Sequence, residues 1–192
     1  MRELLILWLV LALAACGGTG SDNNESMSGH PSPGTAHPLA KKLMNDDFYW
    51  SPMDETAPFG NDDGADAWAG FRDWRQANKT GDPIVYLKEK VANWNYPVFD
   101  LSETSYQKLK PYLEKDDLSN RYMSGIDAAI AAIAFGQLYL EGTVDANFLD
   151  LAKTSIRRQL IPELLNSWGQ KNKDERERKL RMMLAALNKI GS

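Results

Sequence analysis

Apolar residues along the chain recur at the three- and four-residue spacing of amphipathic helices. After Asp82-Pro83, residues Ile84, Leu87, Val91 and Trp94 follow at intervals of three, four and three, which places them on one helical face. An acid that can cap a helix, followed by proline at the first helical position, is a typical helix start. The pattern therefore predicts a helix that begins at this proline and ends before the next one.

The segment SGIDAAIAAIAFGQLYLEG contains the longest apolar run of the second half of the chain. No polar residue occurs from 128 to 136, and Asp127 and Gln137 bound a stretch of nine residues. A membrane-spanning helix needs about 20 apolar residues, so this run is too short to cross a bilayer. A helix that is apolar all round is typical of a domain centre. We predict a central helix that Ser119 caps at its start and Gly142 at its end.

Further helices are predicted on either side of this central helix. Thr104 or Ser105 begins one that Pro111 interrupts. Asp145 caps the segment ANFLDLAKTSIRRQL, and Pro162 ends it, with ELLNSW as a short helical turn afterwards. Each of these segments has apolar residues on one side and polar residues on the other, so each is predicted to lie against the central helix.

The last helix is predicted to begin at Asn172 or Asp174 and to end at Gly191. Its apolar stripe consists of Leu180, Met183, Leu184, Leu187 and Ile190. No stretch of the chain alternates apolar and polar residues for long enough to predict a strand. The pattern therefore predicts an all-α fold: a single compact domain, residues 39–192, of about six helices around a central Ala-rich helix.

A basic cluster lies in the first half of the last helix. Glu175 and Glu177 each stand four residues before a base, which is the favourable order for ion pairs along a helix. Two interpretations are open: a solvated face, which we favour, or a surface for a phosphate or lipid headgroup. The cluster consists of Arg176, Arg178, Lys179 and Arg181.

The N-terminal segment has the pattern of an export signal. Residues 4–15 form a twelve-residue apolar run, which is long enough for the apolar part of a signal peptide and too short to span a membrane. The run ends in Leu13-Ala14-Ala15-Cys16, which resembles the lipobox of bacterial lipoproteins. The resemblance implies a signal peptide over 1–15, cleavage between Ala15 and Cys16, and a diacylglyceryl chain on the Cys16 thiol. A plain secretory signal is the alternative.

The residues that follow Cys16 have the composition of a linker. Residues 17–38 are rich in Gly, Ser, Asn and Pro and almost free of apolar side chains, so we predict a lipidated Cys and flexible linker over 16–38. His30 and His37 both lie in this segment, but their spacing does not favour a metal site. Gly17, where an inner-membrane lipoprotein would have Asp, indicates the outer membrane, with the domain facing the periplasm.

Composition excludes several classes of enzyme. Residues 39–192 contain no Cys and no His, which removes Ser-His-Asp and Cys-His catalysis and the usual zinc sites. No glycine-rich nucleotide-binding motif occurs, and we predict no cofactor and no metal. The formal net charge of −4 gives no reason to expect nucleic acid as a partner.

Residues 46–60, DDFYWSPMDETAPFG, combine aromatic residues with two prolines. Pro52 and Pro58 argue against a helix here, so we predict an extended segment that lies on the bundle with the aromatic residues 48–50 inward. The alternative is a groove for a small ligand or glycan, in which Trp50 would stack on the ligand.

The segment Asn61-Asp62-Asp63-Gly64-Ala65-Asp66 gathers three carboxylates before an apolar stripe. A side-chain acceptor followed by acids is typical of a helix start, and we favour this interpretation. Calcium loops of the EF-hand type have Gly sixth, and Gly64 arrives too early. Asp62 and Asp66 would share a helical face, so a carboxylate-based enzyme or a binding site that uses Asp62, Asp63 and Asp66 is the alternative.

The longer stretch PFGNDDGADAW resembles the PFxNDDAxDW signature of a family of small bacterial proteins of unknown function. Pro58, Phe59, Asn61, Asp62, Asp63 and Asp66 fall on the signature, and Gly64 replaces its usual Ala. The resemblance covers residues 57–75 and extends to 124–187 only by pattern. It implies an all-α fold and no activity.

Together these features predict a lipid-anchored protein of the bacterial cell envelope that binds a partner rather than transforming a substrate. The membrane, reached through the lipid on Cys16, and a partner protein are the expected partners. The protein module would serve in envelope assembly or in immunity against a toxin.

Overall fold

The computed structural model describes residues 29–191. The predicted signal peptide, the lipobox with Cys16 and residues 17–28 of the predicted linker lie outside the described residues. Within 29–191 the chain forms eight α-helices and a 3-10 turn, Asp47–Trp50, and no strand. The helices are α1 (Pro38–Leu43), α2 (Asp62–Ala77), α3 (Pro83–Asn93), α4 (Tyr106–Leu113), α5 (Ser119–Glu141), α6 (Ala146–Gln159), α7 (Pro162–Asn166) and α8 (Gln170–Asn188).

The Ala-rich helix α5 lies at the centre of a single compact domain, as predicted. It packs against α1, α2, α3, α4 and α6, while α8 lies on α6. By length and composition α5 is the one described helix that could cross a membrane, but 78% of its most apolar window is buried inside the bundle. The predictions of an all-α fold and of a central Ala-rich helix are therefore confirmed.

Small residues let α2 approach α5 closely. A Cβ on Gly136 of α5 would lie 2.6 Å from Cε3 of Trp68 on α2, which is closer than two such carbon atoms can pack. Gly142 ends α5 in the left-handed region with φ 72°, where a glycine has no steric penalty. The predicted end of the central helix is confirmed.

Two helix starts differ from the sequence prediction. Ser119 is the first residue of α5 and Leu118 precedes it as the cap. The last helix begins at Gln170 after Gly169, whose φ of 76° turns the chain into the helix, and Asn172 donates its N–H to the Gly169 carbonyl at 3.1 Å. We predicted a polar capping residue for this last helix, but the backbone conformation of Gly169 determines where it begins.

The folded part begins earlier than predicted, because residues 29–38 pack on the bundle. The Trp68 indole donates to the Gly29 carbonyl at 2.8 Å, and the His30 ring bonds to the Trp50 carbonyl at 3.0 Å. His37 accepts the N–H of Leu39 through Nδ1 and so caps α1. The prediction that the linker extends to residue 38 is wrong for this segment: its polar residues find partners far away in the chain, which composition does not reveal.

An ion pair lies inside the bundle between α5 and α6. Arg158 and Asp127 are 0% and 1% exposed, and Nη2 of Arg158 lies 2.5 Å from Oδ1 of Asp127 while Nε donates to Oδ2 at 3.2 Å. The remaining Nη1 donates to the carbonyls of Leu101 and Glu103 at 2.8 and 2.9 Å. Burial raises the pKa of Asp127, and the guanidinium of Arg158 opposes that rise. The pair fixes α6 and the loop before α4 to the central helix.

We expect Arg158→Met to lower the free energy of unfolding by about 3–5 kcal/mol, because it leaves the buried Asp127 carboxylate unpaired. Urea denaturation followed by circular dichroism measures this change. The double variant Asp127→Leu/Arg158→Met should be less destabilised than the single one, because no buried charge remains. A single variant as stable as the wild type would show that the pair does not hold the bundle together.

Candidate functional site

The acidic stretch 61–66 forms the start of α2. Asn61 caps the helix, and its Oδ1 accepts the N–H of Gly64 at 2.8 Å. A Cβ on Gly64 would lie 2.5 Å from the carbonyl oxygen of Pro58, which gives a physical reason for Gly at this position. The interpretation of this stretch as a helix start is confirmed.

The structure does not bring the three carboxylates of this stretch together. Asp63 is buried and pairs with Arg121 of α5, and it accepts the hydroxyl of Tyr96 at 2.9 Å. The hydrogen bond that Arg121 donates to Asp63 raises the pKa of Arg121, against the effect of burial. Burial, aided by the hydrogen bond to Asp63, raises the pKa of Tyr96. Asp63 therefore ties α2 to α5 and to the segment after α3.

Asp66 faces α3 instead. Its Oδ2 lies 2.9 Å from Nζ of Lys90 and accepts the indole N–H of Trp94 at 2.8 Å. Partial burial acts to raise the pKa of Asp66, but these two hydrogen bonds outweigh it and the pKa lies below its usual value. Among residues 29–191 no group of three or more His, Cys, Asp or Glu side chains is placed to hold a metal ion.

The aromatic segment 48–50 packs on the bundle with its first two rings buried. Phe48 and Tyr49 are 6% and 1% exposed, which confirms that the aromatics point inward. Trp50 is half-buried: its indole donates to the Met44 carbonyl at 3.0 Å and its ring packs near Tyr139. The segment forms a 3-10 turn rather than the predicted extended chain, because the first proline follows the turn and does not prevent it.

A cleft lies beside the start of α2, and Asp66 does not line it. One wall is formed by the segment 55–57, residues 61–63 and the first half of α5, and the other by Gln159, Trp168 and Arg176. The cavity measures about 180 Å³. A second cavity of about 330 Å³ continues it towards Met53 and Lys179, and the two share Glu55, Thr56, Trp168 and Arg176 as lining residues.

Arg176 is the cation of this cleft, and its hydrogen bonding is incomplete. The residue is 7% exposed, and the Cζ atom of its guanidinium lies over the Trp168 ring, 3.7 Å from the centroid. Nη2 donates to Gln159 Oε1 at 2.7 Å and Nη1 donates to Thr56 Oγ1 at 3.3 Å. The buried Nε has no partner among the described residues, so only two of the five N–H donors of an arginine are used.

The charge of Arg176 also lacks a direct partner. Within residues 29–191 no carboxylate oxygen lies within 4.0 Å of its guanidinium. Burial lowers the pKa of Arg176 to about 10, and the more distant Asp127, Glu55 and Asp54 oppose that change. A buried charge without a paired carboxylate is unusual in proteins, because several kcal/mol of hydration are lost without compensation.

Two free carboxylates stand at the same cleft. Glu55 and Asp62 both line the cavity and are exposed. Within the described part of the chain neither side chain takes part in a hydrogen bond or in an ion pair within 4.0 Å. Of the predicted binding residues, the structure thus places Asp62 at the cleft, Asp63 in its wall as an ion pair, and Asp66 and Trp50 elsewhere.

Sequence analysis missed Arg176 because it grouped this residue with a solvated basic face. Its neighbours in the cluster are used differently: Lys179 lies 2.5 Å from Asp54 and 3.1 Å from Glu175, and Arg181 lies 2.6 Å from Glu177. A signal was present, because Arg176 stands four residues before Leu180 and therefore lies on the apolar stripe. A basic side chain on the buried face of a helix needs a partner for its charge, whereas a solvated one is stabilised by water.

Comparison with family models, with curated proteins and with solved structures found no match to this chain. The resemblances to bacterial lipoproteins and to the PFxNDDAxDW family therefore stay predictions. The cleft has to be interpreted from its own chemistry: one underused buried cation, two free acids and a tryptophan.

We expect Asn61→Ala to lower the free energy of unfolding by about 1 kcal/mol, because α2 loses its cap. Asp62→Ala is the matched control: the side chain makes no hydrogen bond in the described structure, and its loss should change stability by less than about 0.5 kcal/mol. Thermal and urea unfolding of both variants make the comparison. A larger loss in Asp62→Ala than in Asn61→Ala would contradict this assignment.

Proposed function

We propose that this chain is a membrane-anchored protein of the bacterial cell envelope whose helical domain binds a partner protein through the cleft at Arg176. The observation that carries the proposal is Arg176, a residue only 7% exposed, whose guanidinium has three N–H donors unused and no paired carboxylate within residues 29–191. A carboxylate from the partner would complete the ion pair and the hydrogen bonds together.

The residues around Arg176 preorganise its guanidinium for binding a carboxylate. Trp168 supports one face of the guanidinium, and Gln159 and Thr56 fix its orientation through two hydrogen bonds. A side chain that is held in place before binding loses little rotamer entropy when the partner arrives. The site therefore favours a specific contact over a diffuse electrostatic one.

Binding is proposed rather than catalysis because of where the acids lie. The alternative, a carboxylate-based enzyme, would use Asp62 with Asp66, but Asp62 lines the cleft while Asp66 bonds to Lys90 of α3 and to Trp94 just after it. The pair does not face one substrate. A binding module fits both versions of the predicted role, envelope assembly and immunity against a toxin.

We further propose that the lipid on Cys16 keeps the domain near the membrane, on the periplasmic face of the outer membrane. Twelve residues lie between Cys16 and Gly29, where the packed part of the chain begins. The cleft would then meet partners that are themselves close to the membrane.

Arg176→Met should abolish partner binding and leave the domain folded. Methionine keeps the apolar stem, and exchanging an uncompensated buried charge for an apolar residue is neutral or stabilising. We expect the yield of the crosslinked partner in intact cells to fall at least tenfold, because truncating a buried hydrogen-bonded charge at an interface costs about 2–5 kcal/mol. Mass spectrometry of the captured product identifies the partner and measures the yield.

The control is Arg178→Met, which removes an exposed arginine two residues away that pairs with Glu175. This variant should capture as much partner as the wild type. Equal capture by Arg176→Met and the wild type, with both folded, would overturn the proposed site.

Cys16→Ser should move the protein from the membrane fraction to the soluble fraction of lysed cells, because no thiol remains to carry the lipid. Immunoblots of the two fractions measure the distribution. A Cys16→Ser protein that stays with the membrane would refute the lipid anchor, while loss of anchoring with full binding by the purified domain would support the tether and the cleft as separate parts.

A further inference from the structure

The charges around the cleft are of both signs and are arranged unevenly. Asp63 and Arg121 compensate each other in the wall. Three charged groups remain available to a ligand. They are the guanidinium of Arg176, which is buried, and the carboxylates of Glu55 and Asp62, which are exposed. A plain anion would satisfy Arg176 but would be repelled by the two acids, and a plain cation would leave Arg176 unpaired.

The size of the space limits what can enter. An apolar cavity of about 150 Å³ is large enough for benzene, so the cavity of about 180 Å³ holds a group of similar size. The adjoining cavity shares Glu55, Thr56, Trp168 and Arg176 with it, so a longer group can extend from one into the other. The space suits one amino-acid residue rather than a whole domain surface.

We propose that the cleft recognises a zwitterionic amino-acid group that carries both a carboxylate and an ammonium, with the carboxylate on Arg176 and the ammonium between Glu55 and Asp62. This inference rests on the proposed function, because it names the part of the partner that enters the cleft. A C-terminal lysine of a partner protein carries this pair of charges, and so does free lysine.

The assignment of the two ends follows from burial. The carboxylate goes to Arg176 because a buried guanidinium gains most from a paired oxyanion. The ammonium stays at the acids because both are exposed and an ammonium is strongly hydrated. The carboxylate contact should therefore contribute most of the affinity, and the ammonium contact should set selectivity.

The test is an NMR titration of the purified domain, residues 29–192, with four probes after its spectrum shows that it is folded. The probes are acetyl-Gly-Lys with a free carboxylate, its C-terminal amide, acetyl-Gly-norleucine with a free carboxylate but no ammonium, and free lysine. Relative to acetyl-Gly-Lys, we expect the amide to bind at least tenfold more weakly and the norleucine peptide about threefold more weakly, as for an exposed ion pair.

Two variants assign these effects to the residues. Arg176→Met should bind acetyl-Gly-Lys at least tenfold more weakly than the wild type. The double variant Glu55→Gln/Asp62→Asn should bind the lysine and norleucine peptides equally, because the group that distinguishes them is gone. Tighter binding of acetyl-Gly-Lys than of free lysine supports a protein terminus as the source of the group, and the reverse order supports a free amino acid.

The outcomes separate this inference from the proposed function. If the norleucine peptide binds as tightly as the lysine peptide, or if no probe binds, the zwitterion is refuted. The cleft as a partner-binding site then still stands on the capture experiment with Arg176→Met. If Arg176→Met binds acetyl-Gly-Lys as tightly as the wild type, the role of Arg176 in both proposals is refuted.

Discussion

The ion pair between Asp127 and Arg158 is the interaction on which the position of the cleft depends. It lies in the centre of the bundle, where an unpaired charge would be strongly unfavourable. The two charges pair with each other and the Arg158 guanidinium makes four hydrogen bonds, so the pair fixes the position of α6 against α5. Arg158 is followed by Gln159, whose side chain accepts the hydrogen bond from Arg176. The central pair thereby fixes one wall of the cleft.

The two buried arginines differ in how fully they are used. Arg158 bonds to a carboxylate and two carbonyls inside the protein, whereas Arg176 has two uncharged acceptors and the face of Trp168. The first arrangement is complete without any other molecule. The second gains its missing interactions only when something enters the cleft, and this difference separates a structural arginine from a binding one.

The local features of the fold could be predicted from sequence, because each depends on residues close together in the chain. The start at Asp82-Pro83, the end at Gly142 and the cap at Asn61 follow from such local chemistry. The packing of residues 29–38 could not be predicted in this way, since Gly29 bonds to a tryptophan 39 residues away. Pairings at that distance depend on the assembled bundle.

The residues of the candidate site likewise differ in whether local sequence could indicate them. Asp62 belongs to a local cluster of acids and does line the cleft. Asp63, the next residue, points in a different direction and pairs with Arg121 of α5. Asp66 is one helical turn from Asp62, but it is held by Lys90 and Trp94 on the α3 side. Arg176 could have been suspected from its place on the apolar stripe of α8. The lack of a carboxylate partner for Arg176 could not be predicted, because only the folded structure shows which acceptors lie near its guanidinium.

The most direct test of this account observes the arginine side chains themselves. The Nε–H resonances of Arg158 and Arg176, assigned by single substitution, report the hydrogen bonding of each guanidinium while the captured partner is added to the labelled domain. The account predicts that the Arg176 resonance shifts and its proton exchanges more slowly on saturation, while the Arg158 resonance stays unchanged. An Arg176 resonance that does not move as the partner saturates the domain would contradict the claim that this guanidinium binds it.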